Sequence, residues 1–393
     1  MYLSEDHRAV QDAVRAFVRD RIAPQAAAWD RDCHFPRDEL RGLAELGCYG
    51  IAVPVEWDGA GLDYLSVSLI LEEIAAGDGA TSTIISVTNC PVNTIMMAFA
   101  DAEQKERFLK PLARGELLGA FCLTEPHVGS EAGGLRTTAV KDGDEYVLNG
   151  VKQFITSGKN GDVAIVMAVT DKAAGKKGIS AFLVPTTTPG YTVARIEEKM
   201  GQHASDTAQI LFENCRIPAA NLIGEEGQGL KIALSGLEGG RIGIASQSVG
   251  MARAAFEAAV AYAKDRVAFA KPIFEHQAIQ FKLADMATQI EAARQLIHHA
   301  ASLKDAGQPC LKEAAMAKLF ASDTAMRVAT DAVQVLGGYG YVEDFPAERF
   351  FREAKAMQIV EGTNQIQRMV IGRWLARGGG ISPAAPTTTR GPR

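Results

Sequence analysis

The spacing of apolar residues along the chain changes twice and divides the sequence into three parts. In residues 1–117 apolar positions recur at helical spacing, as in residues 69–75. In residues 118–226, short runs of Val, Ile and Phe alternate with turn residues, which is typical of strands. Helical spacing returns in residues 227–377. The pattern predicts an α+β protein in which a helical domain, a β domain and a second helical domain follow one another.

The middle part carries clear strand signals. A strand over residues 145–150 ends in Asn149-Gly150, a dipeptide typical of two-residue hairpin turns. Further strands are predicted at 162–169, 179–184 and 207–212. Turn residues separate these short strands, so we expect a compact antiparallel β-barrel domain.

The last part contains long, alanine-rich helical runs. They are predicted at 241–265, 276–306, 311–336 and 350–377. Helices of this length usually pack as an antiparallel bundle. The tail, residues 378–393, is rich in Gly, Pro and Thr, and we expect it to be disordered.

Composition and charge exclude several classes of protein. The 393 residues are 47% hydrophobic and 22% charged, which is usual for a folded globular chain and excludes a disordered one. The net charge of -6, without any dense basic run, argues against nucleic-acid binding. A local basic pocket for a phosphorylated ligand is still compatible with these values.

The sequence also indicates the expected compartment. No apolar run reaches membrane-spanning length. The chain starts in an acidic amphipathic pattern, unlike a signal or transit peptide. Six cysteines are scattered without metal-site spacing, so reduced thiols and no bound metal are expected. We therefore expect a soluble cytoplasmic protein that does not associate with membranes.

Glu361 is the most informative single residue for chemistry. It follows Ile359 and Val360 and precedes Gly362, near the end of the long helical region 227–377. Apolar neighbours raise the pKa of a carboxyl group toward neutrality, where it is an effective general base. A glycine beside it lets a ligand approach the backbone. The alternative is that Glu361 caps or lines a helix end, and its local sequence alone favours that structural role.

Two segments of the middle part combine hydroxyl and aromatic side chains. The loop 121–130 offers Thr124 and Ser130, and Gly129 permits the close approach of a ligand. Residues 154–157 place an aromatic ring and hydroxyls at a predicted strand end. Both segments suit contact with a flavin or nucleotide. The structural alternatives are a well-capped linker for the first and a core aromatic for the second.

Two segments of the last part suit a pyrophosphate. Arg266 and Phe269 lie between two predicted helices, and helix ends favour phosphate. Gly337, Gly338 and Gly340 close a third helix, although a glycine C-cap accounts for only one of them. The structural alternatives are an ordinary loop with a solvated arginine and a simple C-cap.

In this order and spacing, the five segments resemble the acyl-CoA dehydrogenase family over residues 4–376. The signatures are residues 120–131, AFCLTEPHVGSE, and residues 334–365, which end in EGTNQ. The resemblance implies an FAD enzyme with an N-terminal helical domain, a middle β domain and a C-terminal four-helix bundle, usually a homotetramer. It also implies the α,β-dehydrogenation of an acyl-CoA, with electrons passed to electron-transferring flavoprotein.

The resemblance assigns a role to each residue that matches a family motif. Glu361 is the expected base that removes the α-proton of the thioester. The expected flavin contacts are Phe121, Leu123, Thr124, Gly129, Ser130, Phe154, Ile155, Thr156, Thr363 and Gln365. The expected contacts of the adenine dinucleotide half are Arg266, Phe269 and Gln277. Those expected to reach the FAD of a neighbouring subunit are Gln334, Gly337 and Gly338. The expected substrate contacts are Ser130, Glu238, Arg241, Glu361 and Gly362.

The chain departs from the family pattern at a few positions. Glu131 stands where Asp is usual, Ala270 where Gly is usual, and Asn364 where Ser is common. Some members carry the base at the position of Gly240, and glycine cannot serve as a base, so the chain favours Glu361. Arg241 has the alternative role of an ion pair at a helix N-terminus with Glu238.

The expected substrate is a short or branched short-chain acyl-CoA. Residues of the 83–97 segment are expected to form an apolar pocket wall, namely Ile84, Ile85, Val87 and Met96. The segment contains no arginine, which disfavours a dicarboxylic substrate. The alternatives are a medium-chain dehydrogenase, a flavin or nitroalkane oxidase on the same fold, and a non-catalytic FAD-binding assembly scaffold. Nitroalkane oxidases typically carry Asp at the position of Glu361, so the glutamate favours a dehydrogenase.

Overall fold

The computed structural model describes residues 3–378, in which a group of helices, a β-sheet and a second group of helices follow in chain order. This order confirms the predicted fold class. The predicted disordered tail beyond Gly378 lies outside the described residues. The N-terminal helices are α1 (Glu5–Phe17), α2 (Ala26–Asp32), α3 (Arg37–Glu45), α4 (Tyr64–Gly77), α5 (Gly79–Val87), α6 (Thr94–Phe99), α7 (Ala102–Gln104) and α8 (Lys110–Ala113).

Helix α4 lies at the centre of the N-terminal group and is buried along most of its length. Its carboxylates Glu72 and Glu73 are buried as well, and arginines from other helices neutralise them. Arg15 of α1 donates to Glu73 at 2.8 Å. Two arginines of the C-terminal helices also reach this pair: Arg253 NH2 lies 2.7 Å from Glu73, and Arg294 NH2 lies 2.8 Å from Glu72. Removing one partner from such a buried pair is strongly destabilising, so the network ties the N-terminal helices to the C-terminal ones.

The middle part forms one eight-stranded sheet with the order β6-β7-β3-β2-β4-β5-β8, and β1 pairs with β4. Most neighbours are antiparallel, as predicted. The prediction of a wholly antiparallel sheet is wrong at two pairings, because β1 and β2 each pair parallel with β4. The strands are β1 (Gly119–Cys122), β2 (Thr138–Asp142), β3 (Glu145–Thr156), β4 (Val163–Val169), β5 (Ile179–Pro185), β6 (Tyr191–Ile196), β7 (Thr207–Pro218) and β8 (Leu222–Ile223).

The predicted hairpin turn at Asn149-Gly150 is wrong. Both residues lie inside β3, where the register against β7 shifts between Leu148 and Gly150. A side chain at position 150 would lie 2.6 Å from the Cα of Thr137. The glycine therefore permits a bulge and a close strand approach, the other common role of an isolated glycine in a strand.

The C-terminal helices are long and pack closely through small side chains. Ala252, Ala255 and Ala259 of the first helix and Ala317 and Ala321 of the third are fully buried in one core. A short hairpin, β9 (Val267–Ala268) and β10 (Lys271–Pro272), joins the first two helices. The helices are α9 (Gly229–Asp265), α10 (Gln277–Asp305), α11 (Leu311–Leu336), α12 (Ala347–Met357) and α13 (Asn364–Ala376).

The single helical run predicted over 350–377 is two helices, α12 and α13, joined by a tight turn. Glu361 and Gly362 both have a left-handed backbone, with φ of +50° and +91°. Thr363 then begins α13 by accepting the Ile366 N–H at 3.3 Å. A helix cannot pass through two consecutive left-handed residues. Glu361 therefore lies in the turn between two helices and not near the end of one.

Candidate functional site

The turn between α12 and α13 presents the Glu361 carboxylate to the middle of α9. Oε2 of Glu361 is inaccessible to solvent and has no hydrogen-bond partner among the described residues. Burial raises the pKa of this carboxyl group to about 7, although the nearby cations Lys318 and Arg241 act in the opposite direction. A non-glycine residue in the left-handed region is strained, and such residues cluster at functional sites. The carboxylate is thus held out of water at a pKa that suits a general base near neutral pH.

Gly240 allows this carboxylate to lie directly against α9. A Cβ atom at position 240 would be 1.7 Å from Oε2 of Glu361, and at the preceding Gly239 it would be 2.4 Å from the Tyr64 hydroxyl. Glycine inside a helix costs roughly 0.5–1 kcal/mol relative to alanine. The two adjacent glycines in the interior of α9 are accounted for by these two close approaches.

Arg241 lies beside the carboxylate without a partner of its own. Its side chain is buried, and Nε and NH1 have no hydrogen-bond partner within residues 3–378. Burial lowers the pKa of its guanidinium group. The suggested helix N-terminal ion pair with Glu238 is wrong: Arg241 lies in the interior of α9, and Glu238 instead accepts the Cys310 thiol at 3.6 Å. Two buried donor atoms without partners cost free energy unless a ligand or a water molecule accepts hydrogen bonds from them.

A buried ion pair holds the loop 121–130 against the sheet. Nζ of Lys152, a fully buried residue of β3, donates to Oε1 of Glu125 at 2.8 Å and to the Leu123 carbonyl at 3.1 Å. The second oxygen of Glu125 accepts the Arg136 N–H at 2.7 Å. Leu123 is buried beneath the loop, whereas Gly129 and Ser130 are exposed at its far side. The Lys152–Glu125 pair therefore holds one side of the predicted flavin loop against the sheet, and the other side of the loop is exposed.

The second predicted flavin segment lies next to this loop. The Gln153 N–H donates to the Thr124 carbonyl at 2.8 Å, which joins the two segments directly. Phe154 has a φ of +58°, at a register shift between β3 and β7, and its ring is 63% exposed. Ile155 points into the sheet core and Thr156 is half-buried. The structural alternative of a core aromatic is therefore contradicted for Phe154, because the bulge turns its side chain out of the sheet.

The predicted adenine-side residues lie in a separate region. Arg266, Gly337 and Gly338 line one cavity of about 630 Å³, together with Tyr262 and Leu336. No residue of the loop 121–130 lines that cavity in the part of the chain that the structure describes. One subunit therefore brings Arg266 together with Gly337 and Gly338, but not with the loop that faces the candidate flavin ring.

The other predicted residues of this region are at the surface. Phe269 is 92% exposed at the tip of the β9-β10 hairpin, where Phe269 and Ala270 have φ of +53° and +63°. Two consecutive left-handed residues are the geometry of a tight hairpin turn, in which glycine is the less strained choice. The alanine at position 270 therefore keeps the turn but strains it. Gln277 begins α10 and Gln334 is near the end of α11, and both are exposed.

Thr363 and Gln365 differ in their positions around the turn. Thr363 is half-buried and caps α13, while Gln365 is exposed on its first turn.

Among the described residues no cluster of His, Cys, Asp and Glu could hold a metal ion. Nor does any helix within residues 3–378 have the length and apolar character needed to cross a membrane.

Sequence reasoning missed two buried lysines that support the site. Lys152 holds the loop 121–130, and Lys318 of α11 donates to the Gly362 carbonyl at 3.0 Å, directly after Glu361. Lys318 had a detectable signal, because Ala314, Ala321 and Ala325 place it on the buried stripe of an apolar helix face. A lysine at such a position is rare unless its ammonium group has buried partners.

Comparison with domain families gives matches along nearly the whole chain. The acyl-CoA dehydrogenase N-terminal domain matches residues 4–116, the middle domain residues 120–215 and the C-terminal domain residues 227–376.

Curated and solved relatives agree with these matches. The mitochondrial short-chain specific acyl-CoA dehydrogenase of Rattus norvegicus is 47% identical over 95% of this chain and 91% of its own length. The butyryl-CoA dehydrogenase structure of Megasphaera elsdenii is 44% identical, with a TM-score of 0.94 over 96% of this chain and all of its own. A chain in a structure of the electron transferring flavoprotein of Acidaminococcus fermentans is 48% identical, with a TM-score of 0.95 over 96% of this chain and 99% of that one.

Proposed function

Because the chain belongs to the acyl-CoA dehydrogenase family, whose members are FAD-dependent oxidoreductases acting on CH–CH groups, we propose that it oxidises a short-chain acyl-CoA to the trans-2-enoyl-CoA. The base in this proposal is Glu361. The observation that carries it is the buried Oε2 of Glu361, which has no hydrogen-bond partner within residues 3–378. Its carboxyl group has a pKa of about 7 and lies in a strained turn against a glycine. A carboxylate with only a capping role would accept a hydrogen bond from a backbone N–H at a helix N-terminus.

The residues present fit FAD. An exposed aromatic ring at Phe154 and hydroxyls at Thr124 and Ser130 surround the open side of the pinned loop. Gly337 and Gly338 have no atom within 4 Å of an added Cβ and share their cavity with Arg266, which suits a pyrophosphate. Bound FAD supplies the acceptor for the hydride that leaves the β-carbon. The two groups of residues lie apart in one subunit, which favours a site completed by a second copy, as in the expected homotetramer.

Glu361 is placed to remove the α-proton of a thioester. The α-proton is only weakly acidic, so negative charge that develops on the thioester oxygen needs a hydrogen-bond donor. The N–H of Glu361 itself donates to no acceptor within residues 3–378, so it is available for that oxygen. Arg241 adds a buried positive charge beside the same site. Entry of the acyl chain excludes water and strengthens these interactions.

The pH dependence of the reaction should report the Glu361 pKa. The base acts only when deprotonated, and burial raises its pKa to about 7. We therefore expect kcat/KM to be full above that pH and to fall as the pH drops below it, tenfold per pH unit well below the midpoint. The measurement is kcat/KM between pH 5 and 9, with FAD content checked at each pH. A constant kcat/KM from pH 5 to 8 at constant FAD content contradicts the assignment.

The substrate proposal rests on an apolar wall and on the named relatives. Ile84, Ile85 and Met96 are fully buried next to α9, and relatives carry the names short-chain specific and butyryl-CoA dehydrogenase. The expected wall residue Val87 lies on α5 with Ile84 and Ile85, whereas Met96 lies on α6. We also propose electron-transferring flavoprotein as the electron acceptor, because a 48% identical chain belongs to a structure of the electron transferring flavoprotein of Acidaminococcus fermentans.

An acyl-CoA panel tests this proposal. The FAD-loaded protein is mixed anaerobically with straight chains of four to sixteen carbons and with branched short chains, and the loss of oxidised-flavin absorbance is followed. We expect the fastest bleaching with a four-carbon or branched short chain. A maximum at eight carbons indicates the medium-chain alternative, and no bleaching with any chain indicates a scaffold. Rapid reoxidation of the reduced flavin by oxygen alone indicates an oxidase.

A further inference from the structure

The turn that carries Glu361 needs support, because two successive left-handed residues do not persist unless their surroundings hold them. The carbonyl of Gly362 is the anchor of this turn. It accepts two hydrogen bonds, one from Nζ of Lys318 at 3.0 Å and one from Nε2 of Gln367 at 2.7 Å. Both donors are fully buried. The backbone directly after the proposed base is thus held by two buried donors.

Lys318 has no carboxylate partner within ion-pair distance in the described chain. Its second hydrogen bond goes to Oδ1 of Asn364 at 2.9 Å, so both of its acceptors are neutral. A fully buried ammonium group with only neutral acceptors is unfavourable for stability. Such a group in contact with a strained turn points to a role in the site that the turn serves.

Asn364 completes the arrangement and accounts for one departure from the family pattern. Its Oδ1 also accepts a hydrogen bond from the Ser322 hydroxyl at 3.0 Å, and its Nδ2 donates to Oδ1 of Asp323 at 2.7 Å. A serine at this position has one oxygen and no amide, and so cannot make all of these contacts. The asparagine therefore fixes the position of the Lys318 ammonium group relative to α11 and α13.

We propose that Lys318, oriented by Asn364, is the positioning residue of Glu361: its ammonium group holds the Gly362 carbonyl and thereby the turn, and its charge favours the deprotonated base. The inference rests on the proposed function of Glu361. In the proposed role, Lys318 acts through the turn and contacts neither substrate nor flavin.

The charges around Lys318 set the expected direction of its effect. Glu361 and Asp323 face it as anions, and Arg241 of α9 faces it as a second cation. Arg368 of α13 pairs with Asp323 at 3.1 Å. Since a nearby cation favours the ionised carboxyl group, loss of the Lys318 charge raises the pKa of Glu361, with Arg241 as the remaining cation. The midpoint of the kcat/KM profile therefore moves to higher pH.

The test compares Lys318→Met with Lys312→Met in the FAD-loaded protein. Lys312 also joins α11 to α13, with Nζ 4.1 Å from the Trp374 ring centre, but it does not touch the turn. We expect Lys318→Met to lower kcat by about 10- to 100-fold, because a displaced base costs this much. The acid limb of the kcat/KM profile of Lys318→Met should move to higher pH by roughly one pH unit. Lys312→Met should keep the wild-type kcat and midpoint.

Hydrogen–deuterium exchange gives a readout that does not depend on turnover. The peptide that contains residues 358–364 should exchange faster in Lys318→Met and keep its wild-type rate in Lys312→Met. If Lys318→Met does not fold, Asn364→Ala decides the question: faster exchange of this peptide and a several-fold lower kcat support the proposal. Wild-type exchange and kcat in Asn364→Ala overturn it.

These outcomes separate this inference from the proposed function. If wild-type protein oxidises acyl-CoA, an unchanged acid limb and unchanged exchange in Lys318→Met overturn the positioning role alone. If wild-type protein shows no acyl-CoA oxidation, the proposed function fails. The exchange of the 358–364 peptide then still shows whether Lys318 holds the turn.

Discussion

Replacing Glu361 with glutamine is expected to lower the rate of flavin reduction by an acyl-CoA by ~10²- to 10⁴-fold, the usual contribution of a general base. Glutamine keeps the size and shape of the side chain but cannot accept the α-proton. The turn depends on contacts of the Gly362 carbonyl and not of the Glu361 side chain, so the variant should fold and retain FAD. The measurement is anaerobic flavin bleaching with the best chain of the acyl-CoA panel.

Glu353 offers a matched control. Glu353 is fully buried, its carboxyl oxygens have no hydrogen-bond partner among the described residues, and burial raises its pKa to about 8. At neutral pH it is mostly protonated, and glutamine resembles the protonated acid. Glu353→Gln should therefore keep flavin reduction near the wild-type rate. Full-rate bleaching in Glu361→Gln, or an equal loss in both variants, removes Glu361 from the role of base.

Gly240→Ala is expected to have the second largest effect. The new methyl group would lie 1.7 Å from Oε2 of Glu361, so the carboxylate must move away from α9. A displacement of about 1 Å at a reacting group costs up to roughly 100-fold in rate. We expect kcat to fall by about that factor. FAD content should stay the same, because the predicted flavin loop and Phe154 lie on the sheet and not on α9. Stopped-flow flavin reduction measures the effect.

Gly372→Ala is the control for a change from glycine to alanine in a helix. Gly372 lies in α13, and an added Cβ there meets no atom within 4 Å. This variant should keep the wild-type rate and gain helix stability, since alanine is the better helix former. Wild-type kcat in Gly240→Ala contradicts the close packing of the carboxylate on α9.

Much of the fold could be predicted from periodicity. The helix α11 was predicted with its observed ends, and the strands at 163–169 and 179–185 within one residue of theirs. Helical apolar spacing extends over the helix, and a short run rich in Val, Ile and Phe extends over each strand. The errors arose where a single residue type has two physical uses. Asn149-Gly150 suits a hairpin turn and also a bulge, and only pairing with a distant strand, β7, decides between them.

The candidate site was predicted in outline but not in its support. The apolar neighbours of Glu361 predicted its raised pKa, and the structure traces that shift to burial. The break between α12 and α13 could not be predicted from helical spacing, because it depends on contacts of the turn with Lys318 and Gln367. Lys318 is distant from the turn in sequence, and Gln367 lies one helical turn further along α13. Periodicity predicts that a side chain such as Lys318 is buried, but not which groups it contacts.

The most direct test of the central claim is exchange of the substrate α-hydrogen with solvent. Wild-type, Glu353→Gln and Glu361→Gln proteins, each loaded with FAD, are incubated with a short-chain acyl-CoA in D2O without oxygen, and mass spectrometry locates deuterium in the thioester. We predict deuterium at the α-carbon with the first two proteins and none above the enzyme-free background with Glu361→Gln. Exchange at the wild-type rate in Glu361→Gln contradicts the claim that Glu361 removes the α-proton.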